Sequence, residues 1–346
     1  MITRLTLLMV FMALVAGGCA KKQDKASVQR EEKKSAPQAG KFKIGLVFDV
    51  GGRGDKSFND AAFAGVQRAQ KELGTGYEYI EPGEGADREA ALRQLASQPD
   101  IALIVGAGFI FTDDINAVAK EFPEKKFVCI DYTVDTTKPL PPNLSAIVFK
   151  EEEGSFLVGA IAALVSKTGT IGFVGGMESP LIKRFEKGYQ TGAKYVRPDI
   201  NILVGYAGLS GEGFKNPAKG KELALGQYSK NADVIYHASG ITGLGVFEAA
   251  RTTKKFVIGV DMNQENEAPG LVLTSMVKLV ENAVLQAAKD VDAKTFKGGQ
   301  VVRLGLANKG VDYVYNDNNK SLIPDDVHKK VEELRAKLVS GELSPL

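Results

Sequence analysis

Residues 43–74 read KIGLVFDVGGRGDKSFNDAAFAGVQRAQKELG, and the three parts of this stretch set the reading of the whole chain. Ile44 to Phe48 is an apolar run of strand length, Asp49 to Phe58 is a polar, glycine-rich stretch, and Asn59 to Leu73 has helical spacing closed by Gly74. The same cadence continues downstream. Apolar runs at Tyr77 to Ile80, Ile101 to Val105, Phe127 to Ile130 and Ser145 to Phe149 alternate with helical patterns at Arg88 to Ser97 and Asp113 to Phe122. Alternation of this kind predicts βαβ units and a parallel sheet. At Glu151 the pattern starts over, with strands at Thr170 to Val174, Asn201 to Tyr206, Val234 to His237 and Phe256 to Val260 separated by helices. The fold class expected is α/β, with two doubly wound, Rossmann-like lobes.

The N-terminus has a different composition. Arg4 precedes an apolar run from Leu5 to Ala16, then Gly17, Gly18 and Cys19, which is the layout of a signal peptide. That run is shorter than the ~20 residues needed to cross a bilayer. Small residues before a cysteine resemble a bacterial lipobox, with Ala16 standing where Leu is usual, and this makes Cys19 the expected lipidation site. Ala20 to Gly40 is rich in Lys, Glu, Gln and Ser and reads as a tether. A formal net charge of +2 offers no concentrated basic face, so nucleic acid is not an expected partner. Cys129, the only other cysteine, lies within an apolar run and reads as a small buried hydrophobe.

Ligands of open parallel sheets bind beyond the carboxyl ends of the strands, and polar residues collect there. Asp49, Asp131 and Asp261 each follow an apolar strand. Phe58 and Phe214 are aromatic residues in glycine-rich loops, each able to stack on a flat ring or to serve as a hydrophobic staple. Ser57 and Asp60 have the spacing of a capping box at the start of the first helix. There is no phosphate-binding GxxxxGK[ST] loop and no dinucleotide fingerprint, and neither His237 nor His328 has metal-ligand spacing. No cofactor and no enzymatic activity are expected.

Taken together, the lipobox, the tether, Asp49 with the stretch to Asp60, Ser239 to Val246, Val257 to Asp261 and Thr274 to Lys278 resemble the BMP/PnrA-like basic membrane lipoproteins. The resemblance runs from Lys43 to the C-terminus. It implies a type I periplasmic-binding fold and an ABC-importer substrate-binding protein that captures purine nucleosides by lobe closure. Carried over by position, Phe58 and Phe214 would stack on the base, and Asn59 and Asp131 would read its polar edge. Asp49, Gly240, Asp261 and Lys278 would hold the ribose, with a hinge near Lys150 and Lys278. The implied partners are a purine nucleoside, ABC permease and ATPase subunits, and the cell membrane through the lipid anchor, with the protein acting as a monomer. The expected division is a signal peptide at 1–18, an anchored tether at 19–40, a first lobe at 41–148 plus about 278–305, and a second lobe at 149–277 plus about 306–346. A pentose-binding protein and a surface adhesin are the alternative readings.

Overall fold

The computed structural model describes residues 41–82 and 88–346; the expected signal segment, Cys19 and the tether lie outside them. The chain opens with β1 (Lys43–Val47), α1 (Phe58–Leu73), β2 (Gly76–Ile80), α2 (Arg88–Ala96), β3 (Ile101–Ala107), α3 (Thr112–Glu121), β4 (Lys126–Ile130) and β5 (Leu144–Phe149). There follow α4 (Glu151–Val165), β6 (Thr170–Met177), α5 (Pro180–Val196), β7 (Asn201–Gly208), α6 (Pro217–Ser229), β8 (Val234–Ala238), α7 (Thr242–Thr253), β9 (Phe256–Asp261) and β10 (Val272–Lys278). The last elements are α8 (Val280–Asp292), β11 (Gln300–Leu304), β12 (Val311–Tyr313) and α9 (Asp325–Ser340).

The strands make two six-stranded sheets, ordered β2-β1-β3-β4-β5-β11 and β7-β6-β8-β9-β10-β12. Every pairing is parallel except β12, which runs antiparallel to β10. The two orders correspond strand for strand, so β4 and β9 hold the same place in their lobes, as do β5 and β10. Burial on both faces explains why strands such as Phe127 to Ile130, with Cys129 fully buried among them, are continuous apolar runs.

The chain passes between the sheets three times: from β5 into α4, from β10 into α8, and from β11 to β12. These passages lie side by side. Lys150 N donates to Leu304 O at 2.8 Å, Leu279 N to Gly310 O at 2.9 Å, and Leu306 N to Glu153 Oε2 at 2.8 Å. The hinge that the resemblance implies near Lys150 and Lys278 lies at the first two passages, and the third runs through Gly305 to Gly310.

Two local expectations are corrected. Ser57 and Asp60 do not form a capping box. The Asp55 carboxylate instead accepts from the backbone N–H groups of Ser57, Asn59 and Asp60, and Asp60 ties down Gly54 and Lys56. With that cap in place the helix begins at Phe58, so this ring stands on the first turn of α1 rather than in a loop. The second correction is the start of α7: Gly240, Gly243 and Gly245 read by sequence as a glycine-rich turn between strand and helix, and the helix already begins at Thr242.

Helix α4 is buried almost all round because it lies between α5, α9 and the second sheet. Its contact with α5 depends on glycine. A Cβ at Gly192 would collide with the carbonyl oxygen of Phe156, and one at Gly159 with that of Tyr189. Gly192→Ala should therefore destabilise the protein by about 2 kcal/mol through overpacking. Gly226→Ala, where the same methyl meets open space, should be neutral or stabilising by up to about 1 kcal/mol. Urea unfolding of both variants checks the contrast.

Candidate ligand-binding site

The carboxyl ends of β1 and β4 face those of β8, β9 and β10 across a cleft that holds a cavity of about 60 Å³. All eight side chains or turns singled out in the sequence line it: Asp49, Phe58, Asn59, Asp131, Phe214, Gly240, Asp261 and Lys278. Asp49 and Val50 also border a wider recess of about 430 Å³, walled by Arg88, Leu209 and Glu212. Sequence reasoning missed Phe109, Leu181, Ile182 and Phe185 as lining residues. Ile182 and Phe185 stand one turn apart on α5, a spacing that reads equally as helix core.

Lys278 closes the floor of the cleft. Its side chain is 1% exposed, and its ammonium donates to Asp131 Oδ2 at 2.6 Å and to Glu151 Oε1 at 3.3 Å. The rings of Phe58, Phe149 and Phe185 lie 5.0, 5.1 and 5.5 Å from Nζ, within cation–π range. Arg184 bonds the far oxygen of Glu151 at 2.8 Å, so one carboxylate serves two cations. Asp131 Oδ1 is buried without a partner, an acceptor left over inside the site.

Asp131 and Asp261, on the equivalent strands β4 and β9, both adopt left-handed backbone conformations with φ of 62° and 64°. Such φ values are uncommon outside glycine, and Asp tolerates them better than most residues because its short side chain bonds locally. The turn at each strand end carries its carboxylate to the cleft. Asp261 Oδ2 accepts from Ser57 Oγ at 2.5 Å, a bond that joins the lobes. Asn59 Oδ1 accepts from Asp49 N at 2.9 Å, which leaves the amide NH₂ of Asn59 as the group to offer. Gly240 takes φ of 55° beside Phe214, whose ring packs against Gly176 so closely that a Cβ there would collide with it.

Burial sets the electrostatics. It pushes the carboxyl of Asp49 up to about 7 and that of Asp261 up to about 6, the latter eased by Lys278 and by the Ser57 bond. Burial also raises Asp131, with Lys278 opposing. For Lys278 burial alone would favour the neutral amine. The fields of Asp131, Glu151 and Asp261 outweigh it, and the ammonium is held above its ordinary range. The cavity thus offers many acceptors, one buried cation and several aromatic rings. That set suits a neutral guest with a flat ring and several O–H or N–H donors. Among the described residues no cluster of His, Cys, Asp and Glu is arranged to hold a metal ion.

A carboxyl whose folded pKa of about 7 lies above its unfolded value contributes stability fully below about pH 4 and loses it as pH rises through 7. Asp49→Asn should therefore flatten the fall in unfolding free energy between pH 4.5 and 8 by on the order of 1–2 kcal/mol. Urea titrations at several pH values check this, and parallel slopes for wild type and variant would refute it.

Comparison with known proteins agrees with this architecture. Residues 42–344 match the family model of PnrA-like ABC transporter substrate-binding proteins. An ABC transporter nucleoside-binding protein, BmpA, from Lactococcus lactis subsp. cremoris is 37% identical, covering 83% of this chain and 85% of its own. A Pyrococcus abyssi protein named as an uncharacterized lipoprotein is 36% identical over 87% of this chain and 79% of its own. Among solved structures, an ABC transporter solute-binding protein from Aeropyrum pernix superposes with a TM-score of 0.80 at 30% identity, covering 88% of this chain and 92% of its own. The two linked, doubly wound lobes are the type I periplasmic-binding fold. The chain belongs to the family of PnrA-like ABC transporter substrate-binding proteins, whose members deliver a substrate to a transporter and are not enzymes.

Proposed function

We propose that this protein is the lipid-anchored receptor of a nucleoside importer and that it captures purine nucleosides by closing its two lobes. The observation that carries this reading is the composition of the cavity at the strand ends of the two sheets. Aromatic rings from Phe58, Phe185 and Phe214 share it with Asp49, Asp131, Asp261 and Lys278. Rings suit the faces of a base, and carboxylates with an ammonium suit ribose hydroxyls. Asn59 and the unpartnered Oδ1 of Asp131 are the groups for the polar edge of the base. The nucleoside-binding name of the Lactococcus relative supports the same ligand class.

The lobes in this reading are 41–148 with 278–305, and 149–277 with 306–346. Small-molecule sites run to roughly 300–1,000 Å³. A space of about 60 Å³ is well below that range, so in this reading the lobes part to admit a nucleoside. Opening breaks Ser57–Asp261, and ligand contacts from both lobes favour the closed form that a permease recognises. Cys19 carries the lipid that keeps the receptor at the membrane.

A soluble form starting at Lys41 should be stabilised by inosine, guanosine or adenosine. A ligand at a hundred times its Kd adds about 2.7 kcal/mol, which thermal unfolding detects easily. Ribose or free bases alone should give no such shift, and a response to ribose alone would transfer the site to a pentose. Phe58→Ala should raise the nucleoside Kd by about 10- to 100-fold in a protein that still unfolds cooperatively, with a melting point lowered by the lost contact to Lys278. Cys19→Ser should move the protein from the membrane fraction to the soluble fraction, and retention at the membrane would count against the lipid anchor.

A further inference from the structure

His237 is fully buried on β8 and touches no ligand-facing carboxylate, so the site described above does not use it. Its neighbours nevertheless fix where every hydrogen sits. The side-chain amide of Gln264 lies between two backbone groups of opposite character. Val260 N–H points at one end at 2.7 Å, and the carbonyl oxygen of Lys56 lies 2.9 Å from the other. The first must meet the amide oxygen and the second the NH₂, because the flipped amide would set donor against donor and acceptor against acceptor. The Gln264 backbone is also held, donating to Ser275 Oγ at 3.1 Å.

His237 Nε2 lies 3.1 Å from Gln264 Oε1 and must therefore carry a hydrogen. Burial pulls the imidazole down to about 4, countered only by the Gln264 bond, so the ring is neutral and its Nδ1 is bare. Ser239 Oγ lies 3.3 Å from that nitrogen and is the group that donates to it. Ser239 lines the ligand cavity. Space is cleared for the whole relay. A Cβ at Gly243 would collide with the imidazole, one at Gly259 would crowd both Ser275 Oγ and Gln264 Oε1, and Phe247 meets the imidazole edge-on at 5.1 Å.

We propose that Ser239 is a specificity-determining residue that offers the ligand an acceptor and no hydrogen, because Gln264 acting through His237 holds its hydroxyl hydrogen away from the cavity. A guest must then bring an O–H or N–H to that place, and one that presents only a lone pair is rejected. His237 and Gln264 are positioning residues. Gln264 also reaches Lys56 of the other lobe, so the same amide that sets the polarity bonds across the closed cleft. The inference deepens the nucleoside reading and rests on it.

The test uses the full chain in detergent micelles labelled with ¹⁵N-histidine. Only His237 and His328 are present, and His328→Gln assigns the two signals. The expected His237 spectrum is that of a neutral Nε2–H imidazole at pH 7; an Nδ1–H ring or an imidazolium would overturn the relay. In parallel, calorimetry compares inosine with its 2′-, 3′- and 5′-monofluoro deoxy analogues, in which an acceptor of similar size replaces one hydroxyl. The carboxylates penalise loss of their own ribose hydroxyls in every variant, so the readout is the change each variant makes in an analogue's loss relative to inosine. Ser239→Ala should shrink the loss of one analogue about tenfold and leave the other two, and His237→Phe, which frees the serine hydroxyl to turn, should bring that same loss to within about threefold of the Ser239→Ala value. Losses that are the same in wild type and Ser239→Ala for all three analogues, or that His237→Phe leaves unchanged, would overturn the inference. If inosine does not bind the wild type, the nucleoside reading fails; ribose and its monofluoro analogues, titrated alongside, then decide the acceptor by the same criterion.

Discussion

Lys278 holds a positive charge where almost no water reaches it, and the cleft is arranged around that charge. The residue ends β10 at the point where the chain leaves the second sheet, and Glu151, one of its partners, opens α4 where the chain has just left the first. Asp131, its other partner, comes from the end of β4. The ion pairs therefore tie together two of the three passages between the lobes and one strand end. Removing one member of such a buried set leaves an uncompensated charge, which typically costs about 3–5 kcal/mol. Three aromatic rings at about 5 Å supply the remaining solvation, and two of them, Phe58 and Phe185, are also walls of the ligand cavity.

The same charge accounts for the acidity of the site. One ammonium bonds Asp131 and Glu151, and its field opposes the burial that favours the neutral forms of Asp131 and Asp261. Asp131 spends one oxygen on Lys278 and keeps the other unpaired. A buried acceptor without a partner costs about 1–3 kcal/mol, and a ligand donor recovers that loss. The acceptor surplus thus gives the cavity a preference for hydroxyl and amine hydrogens before any particular ligand is considered.

The two lobes reach this arrangement by parallel routes. Asp131 and Asp261 sit on equivalent strands and share the same left-handed turn, so each sheet delivers one carboxylate to the cleft. Few side-chain bonds bridge the lobes away from the three passages. Ser57 to Asp261 and Gln264 to the Lys56 carbonyl are two of them. Each contributes only about 0.5–1.5 kcal/mol, or somewhat more where a carboxylate takes part. The three hydrogen-bonded passages provide the lasting connection, and the rim contacts can be exchanged for ligand contacts at modest cost.

Much of this was legible in the sequence because it rests on local patterns. The alternation of apolar runs and helical spacing from Lys43 onward states two doubly wound lobes, and the rule that ligands bind at strand ends selects Asp49, Asp131, Asp261 and the Ser239–Gly240 turn. Phe58 and Phe214 stand out as aromatics in glycine-rich loops, and the BMP/PnrA-like resemblance adds Asn59 and Lys278. Tertiary structure decided the rest. Asp55 rather than Ser57 caps α1, because the cap depends on where a carboxylate lands after three positive-φ glycines at Gly51, Gly52 and Gly54. Gly243 reads as a loop residue until the buried imidazole beside it is seen. Phe185, Glu151 and Gln264 carry no local mark, since each acquires its role from a neighbour more than 25 residues away in the chain. Periodicity and strand-end chemistry are properties of neighbours in sequence and can be read from it, whereas the pairing of a buried charge or the orientation of an amide depends on groups that only folding brings together.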